Sequence, residues 1–549
     1  GGDSMYGDAV TDLFAFTIDP ALTSTTLQSP DAGKTVVIGQ SVTLNAKVVA
    51  LAPAVGDPTG SVEFFEGPTS VGTSFLNNGV ASITAKNLTS GTHSFTGRFQ
   101  SAVDGFKVAA YVNSTSAALA VTAGRLNPKI SVTASLLTPV YGQTTIVTAT
   151  ISPGAGANTL PTGKVTFREA GTTLGTADLV AGIANLSLKQ LGAGLHNLVA
   201  TYEGDAIWNP LDGTASISVS TAMTASRLQV SLRQPDQVAF AVTVEPIAPG
   251  AGVPNGSVDL VDGSNNSVVA SLVLASGAAS QVLPLQTARR PLKAIYWGDQ
   301  NFSGSTTAAL PVAVNSASFA TTAIAPDQAL TLFGVSGLVG DSIASSQPLP
   351  LSLNGFSVNF TDSSGATRPA ALFCVLASGA QINLVVPHDL VPGLALLTVQ
   401  NPAGAITSAV TIAGTAPGIY AANADGRGVA VGQFVATHAD GSQSFANTAV
   451  YDSTAAKWIP NAIDLQSESD QFALILYGTG IQHRPQPESV KATVGGQEVA
   501  VLFSGPQPSF PGLDQVNLQI PRNLTGRGTV PVSLTVDGKA ANEVIVAIR

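Results

Sequence analysis

The chain has 549 residues, of which 44% are hydrophobic and only 11% charged, with a formal net charge of −10. That balance leaves no basic footprint for nucleic acid or an anionic lipid surface, and no apolar run approaches the ~18 residues of a membrane-spanning helix. A single cysteine forbids an internal disulfide, so each core must be held by packing alone. The 55 Gly and 33 Pro, with abundant Val and Thr, suit many short strands and turns. At ~100 residues per β-sandwich, the length accommodates about four to six.

The opening Gly1-Gly2, in place of Met, reads as a processed or excised chain. Residues 1–20 read as a strand-like segment without a home domain. Residues 21–122, 123–221 and 222–316 then form three copies of one unit. Pro58-Thr59-Gly60-Ser61-Val62-Glu63-Phe64 returns as Pro161-Thr162-Gly163-Lys164-Val165-Thr166-Phe167 and, more loosely, as Pro254-Asn255-Gly256-Ser257-Val258-Asp259-Leu260. In each, a Pro-Gly turn leads into a strand whose apolar residues alternate with polar ones. Leu88-Thr89-Ser90-Gly91-Thr92-His93 answers Leu191-Gly192-Ala193-Gly194-Leu195-His196, closing a hairpin into the next strand. Tyr202-Glu203-Gly204-Asp205 answers Tyr296-Trp297-Gly298-Asp299, with Trp208 and Phe302 placed to pack back after the turn. No amphipathic helix is expected in the first 320 residues.

A second repeat type fills residues 317–416 and 417–549, with an insertion at 419–467 in its second copy. Gln381-Ile382-Asn383-Leu384-Val385-Val386-Pro387 is matched by Gln515-Val516-Asn517-Leu518-Gln519-Ile520-Pro521. Leu390 and Leu524 follow at equal places, and Leu332-Phe333-Gly334 pairs with Leu476-Tyr477-Gly478 upstream. The spacing therefore predicts an all-β tandem array of immunoglobulin-like sandwiches, with linkers short enough for neighbours to touch.

Through Pro-Thr-Gly-x-Val-x-Phe and Tyr-x-Gly-Asp-x-x-Trp, the first three units resemble bacterial Ig-like repeat domains of the group 3 type, found in large surface proteins; the third departs at Asn255 and Leu260. From about 318 onward the chain is similar to an uncharacterised C-terminal domain family of secreted acidobacterial proteins. The carrying residues are Leu476-Tyr477-Gly478-Thr479-Gly480, Gly512-Leu513-Asp514-Gln515-Val516-Asn517 and the closing Val544-Ile545-Val546-Ala547-Ile548-Arg549. This second resemblance implies export and no particular chemistry. The run from Asp12 to Pro20 resembles the last strand of a secreted β-propeller repeat, which implies a lost upstream domain.

Catalysis needs polar groups converging in a pocket, and only five histidines are available: His93, His196, His388, His438 and His483. His93 and His196 hold equivalent repeat positions and read as structural. The repeat partner of His388 is Arg522, which reads as a polar surface position. No His-x-x-x-His or Cys-x-x-Cys spacing occurs, so no transition-metal site, no cofactor and no catalytic residue is expected. Asp205 and Asp299 are the calcium candidates, although one carboxylate per loop falls short of the about six to eight oxygens that calcium takes. Trp297, Phe302 and Trp458 are the candidates for stacking on a sugar, and Cys374 reads as a buried small hydrophobe. The function expected is an extracellular or cell-surface structural protein, a stalk or self-assembling fibre subunit joined through sandwich edge strands or residues 1–20. The alternative is a glycan-binding adhesin or the accessory arm of a larger secreted protein, with a polysaccharide as partner. An enzyme built on Asp425, His438, Asp440 and Asp452 of the insertion is the third class.

Overall fold

The computed structural model describes residues 4–5, 17–105, 108–154, 159–233, 236–402, 404–484 and 486–549. Most of the strand-like segment expected over residues 1–20 lies outside them. The fold is all-β, a series of immunoglobulin-like sandwiches. Contacts divide it into two compact units, residues 1–139 with 143–220, and residues 140–142 with 221–549.

In the first unit, the sheet Thr23–Gln28, Val42–Ala50 and Val80–Ala85 packs on a five-stranded sheet centred on Gly91–Ser101 and Gly60–Glu66. Strand Gly60–Glu66 buries Val62 and Phe64 because alternate side chains point to one face. Its copy Lys164–Glu169 buries Val165 and Phe167 in the same way. Both strands carry a register shift against the next strand, after Phe64 and after Phe167, a bulge that sharpens the local twist. The third copy, Ser257–Asp262 in the second unit, keeps the bulge after Leu260. Leucine thus replaces phenylalanine without changing the backbone.

The turn after each Tyr-containing strand is stitched to the strand entering the same sandwich. Leu126 bridges Trp208, and Ala222 bridges Phe302, both in parallel sense. Trp208 and Phe302 are buried beneath this stitch. One short helical turn, Leu285–Ala288, replaces in the third sandwich the coil that precedes the Gly-x-His hairpin of the first two.

Within the second unit, residues 312–412 and 418–548 form two further sandwiches that repeat one another in register. Strand Ala329–Phe333 pairs with Gln381–Val385, setting Phe333 opposite Gln381. Strand Gln471–Thr479 pairs with Asp514–Ile520, setting Tyr477 opposite Gln515. The third sandwich shares a core with the fourth through Leu394 and Ala409. Fourth and fifth are joined through a threonine hydroxyl: Thr479 Oγ1 accepts the Ala329 N–H of the fourth at 2.8 Å and donates to the Gly512 carbonyl of the fifth at 2.6 Å. Gly480, at φ +75°, passes so close that a Cβ there would collide with the Ala416 carbonyl. Among the described residues, no helix is long and apolar enough to cross a membrane.

Candidate functional site

Strand alternation buries Ile382 and Leu384 and turns Gln381 and Asn383 to the opposite face, where Gln381 Nε2 donates to Asn383 Oδ1 at 2.7 Å. The second copy builds the same ladder, with Gln515 Nε2 donating to Asn517 Oδ1 at 2.8 Å. Above the first ladder lies an open groove of about 510 Å³, lined by Phe319, Phe333, Phe373, Tyr420 and Phe510 among others, with Gln381 and Asn383 in its wall. Phe319 and Phe333 stack with centroids 6.2 Å apart and planes at 19°. Phe319 holds a left-handed backbone, φ +58°, fixed by its N–H donating to the Asn315 carbonyl at 2.9 Å. A bulky residue in that conformation is strained. Phe510, on the opposite wall, is 60% exposed. Apolar ring faces beside amides that both donate and accept are what a sugar presents partners for: C–H faces and hydroxyls.

The residues singled out in the sequence lie elsewhere. Trp297 is 66% exposed while Tyr296 beside it is buried, and the Trp297 indole N–H donates to Asp259 Oδ2 at 2.8 Å. Trp458 is half-exposed on the hairpin Ala449–Asp452 and Lys457–Pro460, edge-on to Tyr451 at 5.3 Å. Phe302 must be corrected. It is 2% exposed, packed edge-on against Tyr141 at 5.2 Å, and no ligand can reach it.

The carboxylates of Asp205 and Asp299 are both engaged by their own loops. Asp205 Oδ1 accepts the N–H groups of Ile207 and Trp208, each at 2.8 Å, and Oδ2 accepts the Thr162 N–H at 2.9 Å and its hydroxyl at 2.8 Å. Burial opposes the charged form, but the N–H bonds outweigh it and hold the carboxyl below the usual carboxylate range. Asp299 takes Asn301 and Phe302 N–H on Oδ1 and Asn255 N–H on Oδ2. Four donors fill Asp205, leaving a capping role and no lone pair directed to a cation.

His93 and His196 make one clasp twice. His93 Nδ1 meets Glu66 Oε1 at 2.5 Å and its Nε2 the Thr89 carbonyl at 2.7 Å; His196 meets Glu169 at 2.8 Å and the Gly192 carbonyl at 2.7 Å. The Thr89 carbonyl first, then Glu66, raise the His93 imidazole above its ordinary value. Cys374 is buried, and burial pushes its thiol up, away from the reactive thiolate.

In the insertion, Asp425, Asp440 and Asp452 each accept N–H groups of their own turns. His438 instead meets Asp470 Oδ2 through Nδ1 at 3.0 Å and Ser444 Oγ through Nε2 at 3.2 Å. That order is the relay of a serine hydrolase. Ser444, however, sits mid-strand in Gln443–Asn447, an edge strand exposed along its whole length. Successive N–H groups of an extended strand point to opposite edges, so this strand supplies no converging pair for an oxyanion.

The fold also collects a group that the linear spacing hides. Asp327, 61 residues before His388 and 156 before His483, meets both imidazoles. Beside it Asp514, fully buried, accepts the Ile481 N–H at 2.7 Å, and burial pushes its carboxyl up to about 7.

Residues 29–124 and 132–222 match the bacterial Ig-like domain, group 3. The bacterial Ig-like match thus covers the first two sandwiches, while the motif resemblance runs on into a third copy altered at Asn255 and Leu260. No curated protein matches the chain. Solved structures similar in part include fibronectin(III)-like modules of Clostridium thermocellum CbhA, at 20% identity over 36% of this chain and 94% of that one, TM-score 0.17. Titin domains z1z2, solved in complex with telethonin, are 15% identical over 35% of this chain and 96% of that one, TM-score 0.23. Three N-terminal domains of the highly immunogenic outer capsid protein of bacteriophage RB49 are 11% identical over 52% and 97%, TM-score 0.21. Ig-like repeats of this kind serve as structural or binding modules and are generally non-catalytic.

The groove residues escaped the sequence reading although half of its wall was in view. The Gln-x-Asn pair of each C-terminal copy, two apart on a strand, had to share a face. What the sequence lacks is the opposite wall, because Tyr420 and Phe510 come from the next sandwich.

Proposed function

We propose that the chain is an extracellular or cell-surface scaffold of Ig-like sandwiches that works as a binding arm, seating a polysaccharide in the groove of its C-terminal pair. The observation that carries this reading is the groove itself, lined by five aromatic residues together with the Gln381–Asn383 amide ladder. The test is affinity electrophoresis and calorimetry of the full chain against a panel of soluble and insoluble polysaccharides. Saturable binding to at least one is expected, weakened by Phe510→Ala several-fold to about tenfold, the scale of one aromatic contact. No binding anywhere on the panel, or binding indifferent to Phe510→Ala and Asn383→Ala, overturns it.

A second reading, a self-associating structural subunit, is favoured by the edges. Strands Thr69–Phe75 and Val268–Val273 are outermost in their sheets and end on Phe75, 82% exposed, and Val273, 80% exposed. Exposed edges with apolar side chains invite strand addition. Electron microscopy across a concentration series reads this directly: ordered filaments support it, and single particles at every concentration refute it. Deleting residues 1–20 without loss of filaments excludes that segment as a donated strand.

A further inference from the structure

Three loops from two sandwiches end on one point. Asp327 lies between strands Val312–Asn315 and Ala329–Phe333, and His388 follows strand Gln381–Val385, all in the fourth sandwich; His483 follows strand Gln471–Thr479 of the fifth. Asp327 Oδ2 stands 2.5 Å from His388 Nδ1 and 2.5 Å from His483 Nε2, and the two rings are 5.0 Å apart. We propose that Asp327, His388 and His483 bind one divalent transition ion of the zinc class, which clasps the fourth sandwich to the fifth.

The donor set selects the ion. Two imidazole nitrogens and one carboxylate oxygen suit zinc and its neighbours, whereas calcium prefers oxygen alone. The three ligand atoms lie within 4.8 Å of one another. Bond lengths of about 2.0–2.2 Å in a tetrahedron put ligand atoms roughly 3.4 Å apart. The carboxylate therefore has to withdraw from the two rings by roughly 1 Å for the ion to stand between them. His388 is exposed, so solvent can reach the position left open and a water can complete the tetrahedron.

The surroundings hold the three groups in place. Asp327 keeps a left-handed backbone, φ +55°, with its N–H donated at 3.0 Å to the carbonyl of Val386, which precedes Pro387 and His388. Gln328 Oε1 accepts the Ala325 N–H at 2.7 Å and the Gln328 carbonyl accepts the Val386 N–H at 2.9 Å, tying the two loops of the fourth sandwich together. Asp514 fixes the start of the third loop at Ile481. The Nε2 of His388, the ring nitrogen that would not ligate, faces Asp389 Oδ1 at 3.8 Å. A carboxylate at that place orients a ligating imidazole and raises its basicity.

The experiment is calorimetric titration of the full chain, free of any polyhistidine tag and stripped with EDTA, with zinc chloride, repeated with cobalt(II) to read its visible absorption. One zinc per chain is expected, with a cobalt spectrum of tetrahedral intensity and a zinc-dependent rise in the unfolding temperature. Loss of a second-sphere partner costs about 10–100-fold in affinity, so loss of a direct ligand in His388→Ala should cost about 100-fold or more. The His388→Ala, His483→Ala pair should abolish both the zinc affinity and the thermal shift, while His438→Ala leaves them unchanged. His388 is exposed and its removal is tolerated by the fold; should the double variant misfold by circular dichroism, the cobalt spectrum of the unaltered chain decides alone. No zinc or cobalt binding by the unaltered chain, or zinc affinity within threefold in His388→Ala, overturns the proposal.

Discussion

Removing the Asp205 carboxylate should loosen the second sandwich and nothing else. In Asp205→Ala the N–H groups of Thr162, Ile207 and Trp208 lose their acceptor, and so does the Thr162 hydroxyl. The loop is half-buried, so water can recover part of the loss, and about 1 kcal/mol per orphaned backbone donor gives a destabilisation of about 2–3 kcal/mol. The three tryptophans allow a local readout, because Trp208 is buried in this sandwich while Trp297 and Trp458 are exposed. With Trp297→Phe and Trp458→Phe in the background, Trp208 fluorescence follows the unfolding of the second sandwich in urea. For a domain of this size the denaturant slope is about 1 kcal/mol per molar, so the midpoint should fall by about 2 M. Asp205→Asn, which keeps one acceptor oxygen, should lose roughly half as much. A fall of less than about 0.5 M in Asp205→Ala refutes the capping argument. A comparable rise on adding calcium chloride to the parent would restore Asp205 as a cation ligand.

Two further outcomes follow from titrating groups. The clasp raises the folded-state value of His93 above 6.5, so its stabilisation is fully present below the unfolded value and is lost as pH rises through the folded one; urea unfolding between pH 5.5 and 9 should show that decline in the parent and not in His93→Gln, and equal slopes would exclude the clasp. Asp514 runs in the same sense. Its folded-state value of about 7 against about 3.9 unfolded means that stability falls as pH rises from about 4 to about 7, by up to about 4 kcal/mol. Unfolding followed by Trp458 fluorescence in EDTA should therefore be flat with pH in Asp514→Asn, and an unchanged slope would show that the carboxyl is ionised in the fold.

The repeats were legible because period and turn chemistry are local. Pro-Thr-Gly-x-Val-x-Phe states a turn, an alternation and a buried ring, and the fold places Val62, Phe64, Val165 and Phe167 accordingly. His93 and His196 were legible as a pair, although not their carboxylate partners, because Glu66 and Glu169 lie across a neighbouring strand. Phe302 was legible as packing back after its Gly-Asp turn, as Trp208 does, and only its second reading, as a stacking surface, fails, because the stitch with Ala222 holds it inside. Asp327, His388 and His483 stayed hidden for a different reason. Ligand spacing is readable along one helix or hairpin, whereas these three meet only when two sandwiches dock.

The single helical turn Leu285–Ala288 bears on how such a chain reaches its native state. Neighbouring domains of similar sequence are prone to exchange strands while they emerge from synthesis, and dissimilar neighbours resist it. The first two sandwiches share a clasp and a bulge, so their matching strands are the pair at hazard of mutual substitution. The third breaks the pattern: a helical turn replaces the coil before the hairpin, and its core strand carries Leu260 for phenylalanine. Arg290 takes the place of His196 and faces Asp262, the counterpart of Glu169, at 3.7 Å, so the third sandwich keeps the charge pairing of the clasp while its helical turn and smaller core residue set it apart from the interchangeable pair.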